Sequence, residues 1–136
     1  MGLIALDTNI FISAFNEKSP KNKQTRELLD QIQNDSIKVF ISVILLEEFF
    51  VRIYKQKQET ETDTFLDFIA LGGLCTIVDT NKQIALLAAK LRAQYPSLRA
   101  PDAIHLASAI ESGVKIFFTT DRRLPKKIEK LEIRTL

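Results

Sequence analysis

Short apolar runs alternate with segments of helical spacing along the chain. The runs cover residues 3–6, 37–41, 74–78 and 115–118, and residues 131–135 give a short fifth candidate. A continuous apolar run of this length is typical of a strand that is buried on both faces of a parallel sheet. We therefore predict a mostly parallel sheet of four to five strands.

Segments with apolar residues three or four positions apart lie between these runs and predict five helices. Their patterns cover residues 28–32, 44–52, 65–69, 84–93 and 102–111. Ser42 is placed to cap the second helix, one of Asp79, Thr80 and Asn81 to cap the fourth, and Pro101 suits the first turn of the fifth. Strands and helices that alternate over short connections predict an α/β fold with helices on both faces of the sheet.

The size and composition of the chain indicate one globular domain. Its 136 residues suit a single domain spanning 1–136, and hydrophobic residues at 46% with charged residues at 26% are typical of such a domain. No apolar run approaches the roughly 20 residues that cross a bilayer. The N-terminus reaches Asp7 without the pattern of a secretory signal. We therefore expect a cytoplasmic protein without membrane contact.

Charge and cysteine content add little to this picture. A net charge of +2 is too small to establish nucleic-acid binding, although residues 115–130 carry six Lys or Arg against two acids. This basic segment could lie along phosphates or simply face solvent. The single cysteine, Cys75, cannot form an internal disulfide, and we interpret it as a small buried apolar side chain in a reducing compartment.

Four acidic residues are placed to meet at one edge of the predicted sheet. Asp7 and Asp121 follow the first and fourth strands, Glu48 lies on the helix after the second strand, and Asp102 opens the last helix. Ligands of open parallel sheets bind beyond the carboxyl ends of the strands. Crowded carboxylates raise each other's pKa unless a cation compensates, and Mg²⁺ and Mn²⁺ prefer oxygen ligands. Such an ion could activate a water for phosphodiester hydrolysis.

These acids also have purely structural explanations. Asp7 and Asp102 could cap helices, and Asp121 could be an ordinary turn residue. Glu47 and Glu48 have similar apolar neighbours three and four positions away, so periodicity cannot choose between them. The metal-site hypothesis therefore depends on whether the fold brings the four side chains together.

Other side chains are candidates for substrate contacts. His105, three residues after Asp102, could carry a proton or contact substrate, or it could be a packed helix residue. Tyr95 and Phe11 could stack on unpaired bases, although the nine phenylalanines of the chain are expected to be mostly core residues. A guanidinium group can bind two phosphate oxygens at once. Three arginines could bind backbone phosphates in this way: Arg99, Arg122 and Arg123.

Four short motifs occur in order along nearly the whole chain. They are LDTN around Asp7, ISVILLEEF from Ile41 to Phe49, PDAIHLASA from Pro101, and FTTD ending at Asp121. Together they resemble the motifs of PIN-domain ribonucleases, especially the VapC-type toxins. One departure is Leu124-Pro125, which stands where an aromatic residue often follows the last motif.

The resemblance implies a three-layer α/β sandwich and a set of functional residues. The implied ligands of Mg²⁺ or Mn²⁺ are Asp7, Glu48, Asp102 and Asp121. Glu48 is preferred over Glu47 because it lies six positions after Ser42, where the family pattern places its acid. The implied supporting residues are Thr8, Asn9 and Thr119, and together with Arg99 and Arg122 they make up the expected substrate-binding set. Toxin members of the family dimerise and are inhibited by a small antitoxin, so we expect a homodimer, an RNA substrate and an antitoxin partner.

The preferred hypothesis is a metal-dependent endoribonuclease, with two alternatives. The first alternative is a receiver-like signalling domain, in which an aspartate accepts phosphate. Receivers have adjacent acids after the first strand and a phosphoacceptor aspartate at the end of a later strand, whereas Asp7 stands alone and no acid follows Ile41. The second alternative is a PIN module that binds RNA without cutting it.

Overall fold

The computed structural model describes residues 2–57, 60–70 and 73–136. Its strands are β1 (Ile4–Leu6), β2 (Val39–Ser42), β3 (Cys75–Val78), β4 (Ile116–Thr119), β5 (Lys127–Ile128) and β6 (Leu131–Thr135). Its helices are α1 (Thr8–Ala14), α2 (Asn22–Asn34), α3 (Val43–Gln56), α4 (Thr60–Ala70), α5 (Lys82–Gln94) and α6 (Ala100–Glu111). All the predicted strands and helices are present, and α1 and β5 are additional.

The strands form one sheet in the order β3-β2-β1-β4-β6-β5. Neighbouring strands pair in parallel from β3 to β6, and β5 runs antiparallel to β6. The predicted mostly parallel sheet is confirmed, and the two-residue strand β5 is an addition that was not predicted. Because β1 and β4 are parallel neighbours at the centre of the sheet, the segments that follow them leave from the same end.

Side chains of the central strands alternate between two apolar cores. Ile4 and Leu6 of β1 pack with helices α1 to α4, whereas Ala5 packs with α5 and α6. Phe118 and Phe117 of β4 divide between the same two cores. The sheet therefore has helices on both faces, and the predicted three-layer sandwich is confirmed.

Helix α1 escaped the sequence pattern because its first turn is polar. Asp7 is its N-cap and accepts a hydrogen bond from the N–H of Thr8. Phe11 of this helix is fully buried and packs edge-on against Phe65, with ring centroids 5.1 Å apart. The interpretation of Phe11 as a base-stacking residue is therefore wrong, since its ring has no contact with solvent.

Helix caps follow the predicted turn chemistry. Ser42 caps α3 and accepts a hydrogen bond from the N–H of Ile44 at 3.2 Å. Of the three candidates before α5, Asn81 is the cap and accepts from the N–H of Ile84 at 2.9 Å. Pro101 lies in the first turn of α6. The cap at Ser42 fixes the start of the helix that carries Glu48.

Cys75 begins β3, at one edge of the sheet, and is half-buried. Burial raises the pKa of its thiol to about 11. A thiol with so high a pKa carries little thiolate at neutral pH, which agrees with a structural side chain. Within the ranges described above, no helix is long and apolar enough to cross a membrane.

Candidate active site

A cleft at the carboxyl end of the sheet collects most of the predicted site residues. Asp7 follows β1, Glu48 lies on α3, and Asp102 lies in the first turn of α6. The cleft has a volume of about 340 Å³. It is lined by Asp7, Thr8, Asn9, Ile12, Glu47, Glu48, Val51, Arg99 and Asp102. The topology thus brings three of the four predicted acids to one concave surface.

Asp7 is the buried centre of this cleft, with 5% of its surface exposed. Its carboxylate accepts hydrogen bonds from the N–H of Thr8 at 2.8 Å, from the Asn9 amide at 3.1 Å and from the Thr119 hydroxyl at 2.8 Å. Burial raises the pKa of Asp7 and the charge of Asp102 adds to this, whereas His105 and the hydrogen bonds from Thr119 and Thr8 lower the pKa without cancelling the effect of burial. The hydrogen-bond donors are uncharged and His105 lies 4.0 Å away, so the buried carboxylate is only partly compensated in this arrangement.

Backbone hydrogen bonding also holds Asp7. Its N–H donates to the carbonyl of Phe118 in β4 at 2.9 Å, which extends the pairing of β1 and β4 by one residue. The position of Asp7 is therefore fixed by the centre of the sheet.

Thr119, the last residue of β4, connects the two strand ends. Besides donating to Asp7, its hydroxyl accepts hydrogen bonds from the Asn9 amide at 3.1 Å and from the N–H of Asp121 at 3.0 Å. Asn9 in turn accepts from the N–H of Thr120 at 2.9 Å. Thr119 is fully buried. Its hydroxyl therefore sets the position of Asp121 relative to Asp7.

Glu48 is distinguished from Glu47 by its contacts. Its Oε1 atom lies 2.6 Å from the Thr8 hydroxyl and 2.6 Å from Nε2 of His105. Glu47 is exposed. Burial alone raises the pKa of Glu48, but the hydrogen bonds from His105 and Thr8 outweigh this effect and hold the pKa below its ordinary value. The geometry therefore favours Glu48 over Glu47 as the glutamate of the site and keeps its carboxylate ionised.

His105 is a packed residue, 3% exposed, that faces the acids from α6. Its Nε2 atom contacts Glu48 and lies 4.0 Å from a carboxylate oxygen of Asp7. Its Nδ1 atom is buried and has no hydrogen-bond partner in the described part of the chain. Burial leaves no room for direct substrate contact, so the packed interpretation holds, with a polar role that spacing alone did not show.

Asp102 and Asp121 are each held by an arginine. Asp102 accepts from the backbone N–H of Arg99 at 3.0 Å and from its guanidinium at 3.2 Å and 3.4 Å. Asp121 accepts from the backbone N–H of Arg123 at 2.9 Å and from its guanidinium at 3.0 Å and 2.7 Å. The hydrogen bonds from Arg123 hold the pKa of Asp121 below its ordinary value. Arg123 was among the phosphate-binding candidates, but its pairing with Asp121 was not foreseen.

The four predicted acids do not form one preassembled ligand shell. Asp121 is tied to the others through Thr119, but its carboxylate turns to Arg123, away from the cleft. Among residues 2–57, 60–70 and 73–136, no group of three or more His, Cys, Asp or Glu side chains is arranged so that it could hold a metal ion. The donor chemistry nevertheless fits, because carboxylate oxygens are the ligands preferred by Mg²⁺ and Mn²⁺. A shared ion would require side-chain rotations of Asp102 and Asp121.

The predicted substrate-binding residues differ in exposure. Arg122 is exposed directly after Asp121, and the side chain of Arg99 is 64% exposed at the cleft. Thr8 and Thr119 are buried, whereas Asn9 and Tyr95 are partly accessible. Contact with substrate stays a prediction for all of these residues, and burial favours a positioning role for the two threonines.

Comparison with known proteins places this geometry in a family. The family model of the PIN domain matches residues 4–130. A search of curated proteins found no match. A structure of a toxin-antitoxin complex from Klebsiella pneumoniae has a chain 27% identical to this one, with a TM-score of 0.67, covering 89% of this chain and 87% of that one.

Two further structures resemble the fold at lower identity. VapBC2 from Rickettsia felis, bound to a promoter DNA fragment, is 23% identical with a TM-score of 0.72 and covers 98% of both chains. VapC20 from Mycobacterium tuberculosis, a toxin that cleaves the sarcin-ricin loop, is 13% identical with a TM-score of 0.67, covering 84% of this chain and 86% of that one. The fold and the family resemblance read from the four motifs are thereby confirmed.

Proposed function

The chain belongs to the PIN domain family, and from this premise we propose that it is a divalent-metal-dependent endoribonuclease that hydrolyses phosphodiester bonds of RNA. The observation that carries the proposal is the environment of Asp7. This acid is buried, its hydrogen-bond donors are uncharged, and burial raises its pKa in spite of the opposing effect of His105. A hard cation at the cleft would supply the missing positive charge.

We propose that Mg²⁺ or Mn²⁺ is held by Asp7, Glu48, Asp102 and Asp121. When bound, such an ion would lower the pKa of a water and offset charge on the phosphodiester. The protein's own groups have separate roles. Thr8 and His105 hold Glu48 ionised and oriented, while Thr119 and Asn9 hold Asp7.

The substrate would approach from the open side of the cleft. The exposed guanidinium groups of Arg99 and Arg122 are suited to bind backbone phosphates, since planar donors match paired phosphate oxygens. Asn9 is the partly accessible member of the hydrogen-bonded group around Asp7. Thr8 and Thr119 would not contact the substrate themselves. They would contribute to its binding by positioning Glu48 and Asp7.

The test uses purified protein and a labelled single-stranded RNA. Cleavage is expected with Mg²⁺ or Mn²⁺, and it should stop with a chelator or in Asp7→Asn. Arg134→Gln, a substitution in an exposed ion pair with Glu132, serves as the control and should cleave normally. Cleavage that persists in chelator and in Asp7→Asn would refute the proposal.

A second candidate, an RNA-binding PIN module without catalysis, is favoured by one observation. The acids of the described residues are not assembled around a common point. This candidate predicts RNA binding that is unchanged by metal and by Asp7→Asn, with intact RNA recovered under all conditions. The receiver-like alternative gains no support from the family assignment.

We further propose that the chain is the toxin of a toxin-antitoxin pair, acts in the cytoplasm as a single domain over residues 1–136, and forms a homodimer. The Klebsiella pneumoniae complex supports the antitoxin partner. A groove of about 660 Å³ is available for it between α1, α2, α3 and α4, with Phe15, Leu29 and Ile53 among its lining and charged side chains at its rim. An amphipathic segment of the antitoxin would suit this mixture.

Two measurements test these partners. A small protein encoded beside this chain's gene should bind the purified chain and suppress cleavage, and a substitution at an exposed groove residue, such as Arg26→Glu, should weaken that binding. Suppression without any effect of the groove variant would assign the antitoxin to another surface. The mass in solution, by light scattering, should be twice that of the 15.5 kDa chain.

A further inference from the structure

Two acids at the rim of the cleft are engaged by guanidinium groups on both carboxylate oxygens. Arg99 reaches Oδ2 of Asp102 with Nε and Oδ1 with a terminal nitrogen. Arg123 does the same with the two oxygens of Asp121. Each arginine lies two or three residues from its acid, so the pairs form within short local segments.

The two pairs belong to one electrostatic group. The pKa of Arg99 is raised mainly by its hydrogen bond to Asp102, with a further contribution from the charge of Asp121. The pKa of Arg123 is likewise raised mainly by Asp121, with a contribution from Asp102. Two positive charges therefore neutralise the outer acids, whereas Asp7 receives hydrogen bonds from uncharged donors.

We propose that Arg99 and Arg123 are internal counterions that compete with the divalent cation for Asp102 and Asp121, and that, once displaced by the cation, they bind RNA phosphate. This inference rests on the proposed function of the cleft. The oxygens that a cation would take are the oxygens that the guanidinium groups occupy. A carboxylate oxygen whose lone pairs accept hydrogen bonds from a guanidinium group binds a cation more weakly than a free one does.

Exposure makes this exchange feasible. The side chains of Arg99 and Arg123 are 64% and 61% exposed, so both can rotate into solvent without unpacking the core. The backbone N–H of Arg99 also donates to Oδ2 of Asp102, so one hydrogen bond to this carboxylate does not depend on the guanidinium group. A released guanidinium at the mouth of the cleft is then available for phosphate.

Linkage fixes the signs of the effects. A group that competes with the cation weakens its binding, so removal of either arginine strengthens cation binding. The same removal deletes a phosphate contact and weakens RNA binding in the presence of the cation. By reciprocity, the cation strengthens RNA binding in the wild type more than in either variant.

The expected sizes follow from the exposure of the pairs. Exposed ion pairs are weak, so each substitution should tighten cation binding by about two- to fivefold. Each lost phosphate contact should reduce the slope of log affinity for single-stranded RNA against log salt by about 0.7.

The experiment titrates Mn²⁺ into metal-free full-length protein and reads free Mn²⁺ by electron paramagnetic resonance. Arg99→Gln and Arg123→Gln are compared with wild type and with Arg134→Gln. The control removes a similar arginine from a carboxylate two residues away, but its partner Glu132 is not a predicted ligand. Tighter Mn²⁺ binding in the first two variants, with no change in the control, supports the proposal.

A second measurement follows RNA binding by stopped-flow anisotropy, read before cleavage. Arg99→Gln and Arg123→Gln should bind a short single-stranded RNA more weakly than wild type with Mn²⁺, and should differ less from it in chelator. Weaker Mn²⁺ binding in these variants, or binding equal to that of Arg134→Gln, overturns the counterion proposal. The proposed nuclease function still stands in that case if the wild-type protein cleaves RNA. Wild-type protein that neither binds Mn²⁺ nor cuts RNA overturns both.

Discussion

The side chains of Glu48 and His105 meet at 2.6 Å, although 57 positions separate them in the sequence. Glu48 comes from α3 and His105 from α6, on helices that pack on opposite faces of the sheet. The contact therefore forms past the carboxyl end of the sheet, where the cleft lies. It explains why only one of two adjacent glutamates is suited to the site.

Glu48→Gln should reduce metal-dependent RNA cleavage by at least about tenfold, since it removes a charged oxygen ligand held by Thr8 and His105. Glu47→Gln is the matched control, because Glu47 is adjacent and exposed. It should cleave within about twofold of wild type. Initial rates on one labelled RNA compare the variants, and equal losses in both would contradict the assignment of Glu48.

His105 should act as a positioning residue for Glu48. His105→Leu fills the buried space but removes the donor to Oε1, so kcat and Mn²⁺ affinity should fall by about 10- to 100-fold. His105→Gln can place an amide N–H near the same oxygen and should recover part of the loss. Unfolding in urea checks that both variants remain folded. No difference between them would indicate that the histidine only fills volume.

Thr119→Val should lower the free energy of unfolding by about 1–3 kcal/mol, because the buried carboxylate of Asp7 and the partly buried N–H of Asp121 each lose a partner. The control is Thr135→Val, at the exposed position paired with Thr119 across β4 and β6. It should change stability by less than about 0.5 kcal/mol. Urea denaturation in the presence of chelator measures the free energy of unfolding of both variants. Equal losses of stability would show that the Thr119 hydroxyl does not stabilise the site.

The raised pKa of Asp7 predicts a pH dependence of stability without metal. As pH rises above the unfolded value of 3.8, the unfolded state loses this proton first, and the folded state is destabilised until its own raised pKa is passed. Each unit of pKa difference costs about 1.4 kcal/mol. Asp7→Asn removes this cost, so its free energy of unfolding relative to wild type should increase from pH 3.5 to pH 7.

Glu48→Gln should show the opposite trend in the same urea titrations. The pKa of Glu48 is lowered from 4.5, so its ionised form stabilises the fold above that pH, and this contribution disappears as pH falls through the folded pKa. The variant should therefore lose stability relative to wild type as pH rises. If the stability of Asp7→Asn and of Glu48→Gln relative to wild type changed in the same direction with pH, the environments described for the two acids would be contradicted.

Much of the fold was predictable because burial imposes a pattern on the sequence. The apolar runs of β1 and β4 are buried on both faces, and the carboxyl-end rule placed Asp7 and Asp121 at one rim. Helix α1 was missed because its polar first turn serves the site: Thr8 bonds Glu48, and Asn9 bonds Asp7. Local spacing cannot distinguish such a turn from a loop.

The details of the site depended on contacts that no local pattern contains. The family pattern preferred Glu48 over Glu47, but hydrophobic periodicity could not choose between them, because the choice depends on how α3 is rotated relative to α6. The pairings of Arg99 with Asp102 and of Arg123 with Asp121 depend on side-chain rotamers in a helix cap and a turn. The sequence motifs predicted where the acids gather, but not which of them are occupied by arginine.

The hydrogen bond from Asp7 to the Phe118 carbonyl makes one wall of the cleft a continuation of the sheet, whereas Asp121 sits on a turn beside a solvent-facing guanidinium. The cleft thus has one wall fixed by the sheet, whereas Asp121, which does not line the cleft, lies on a turn from which its side chain can rotate. Ions of different radius would meet the same fixed oxygen on one side and be accommodated by rotation on the other, so size selectivity should be modest. Any sharper preference between cations would have to come from how readily each one sheds its water.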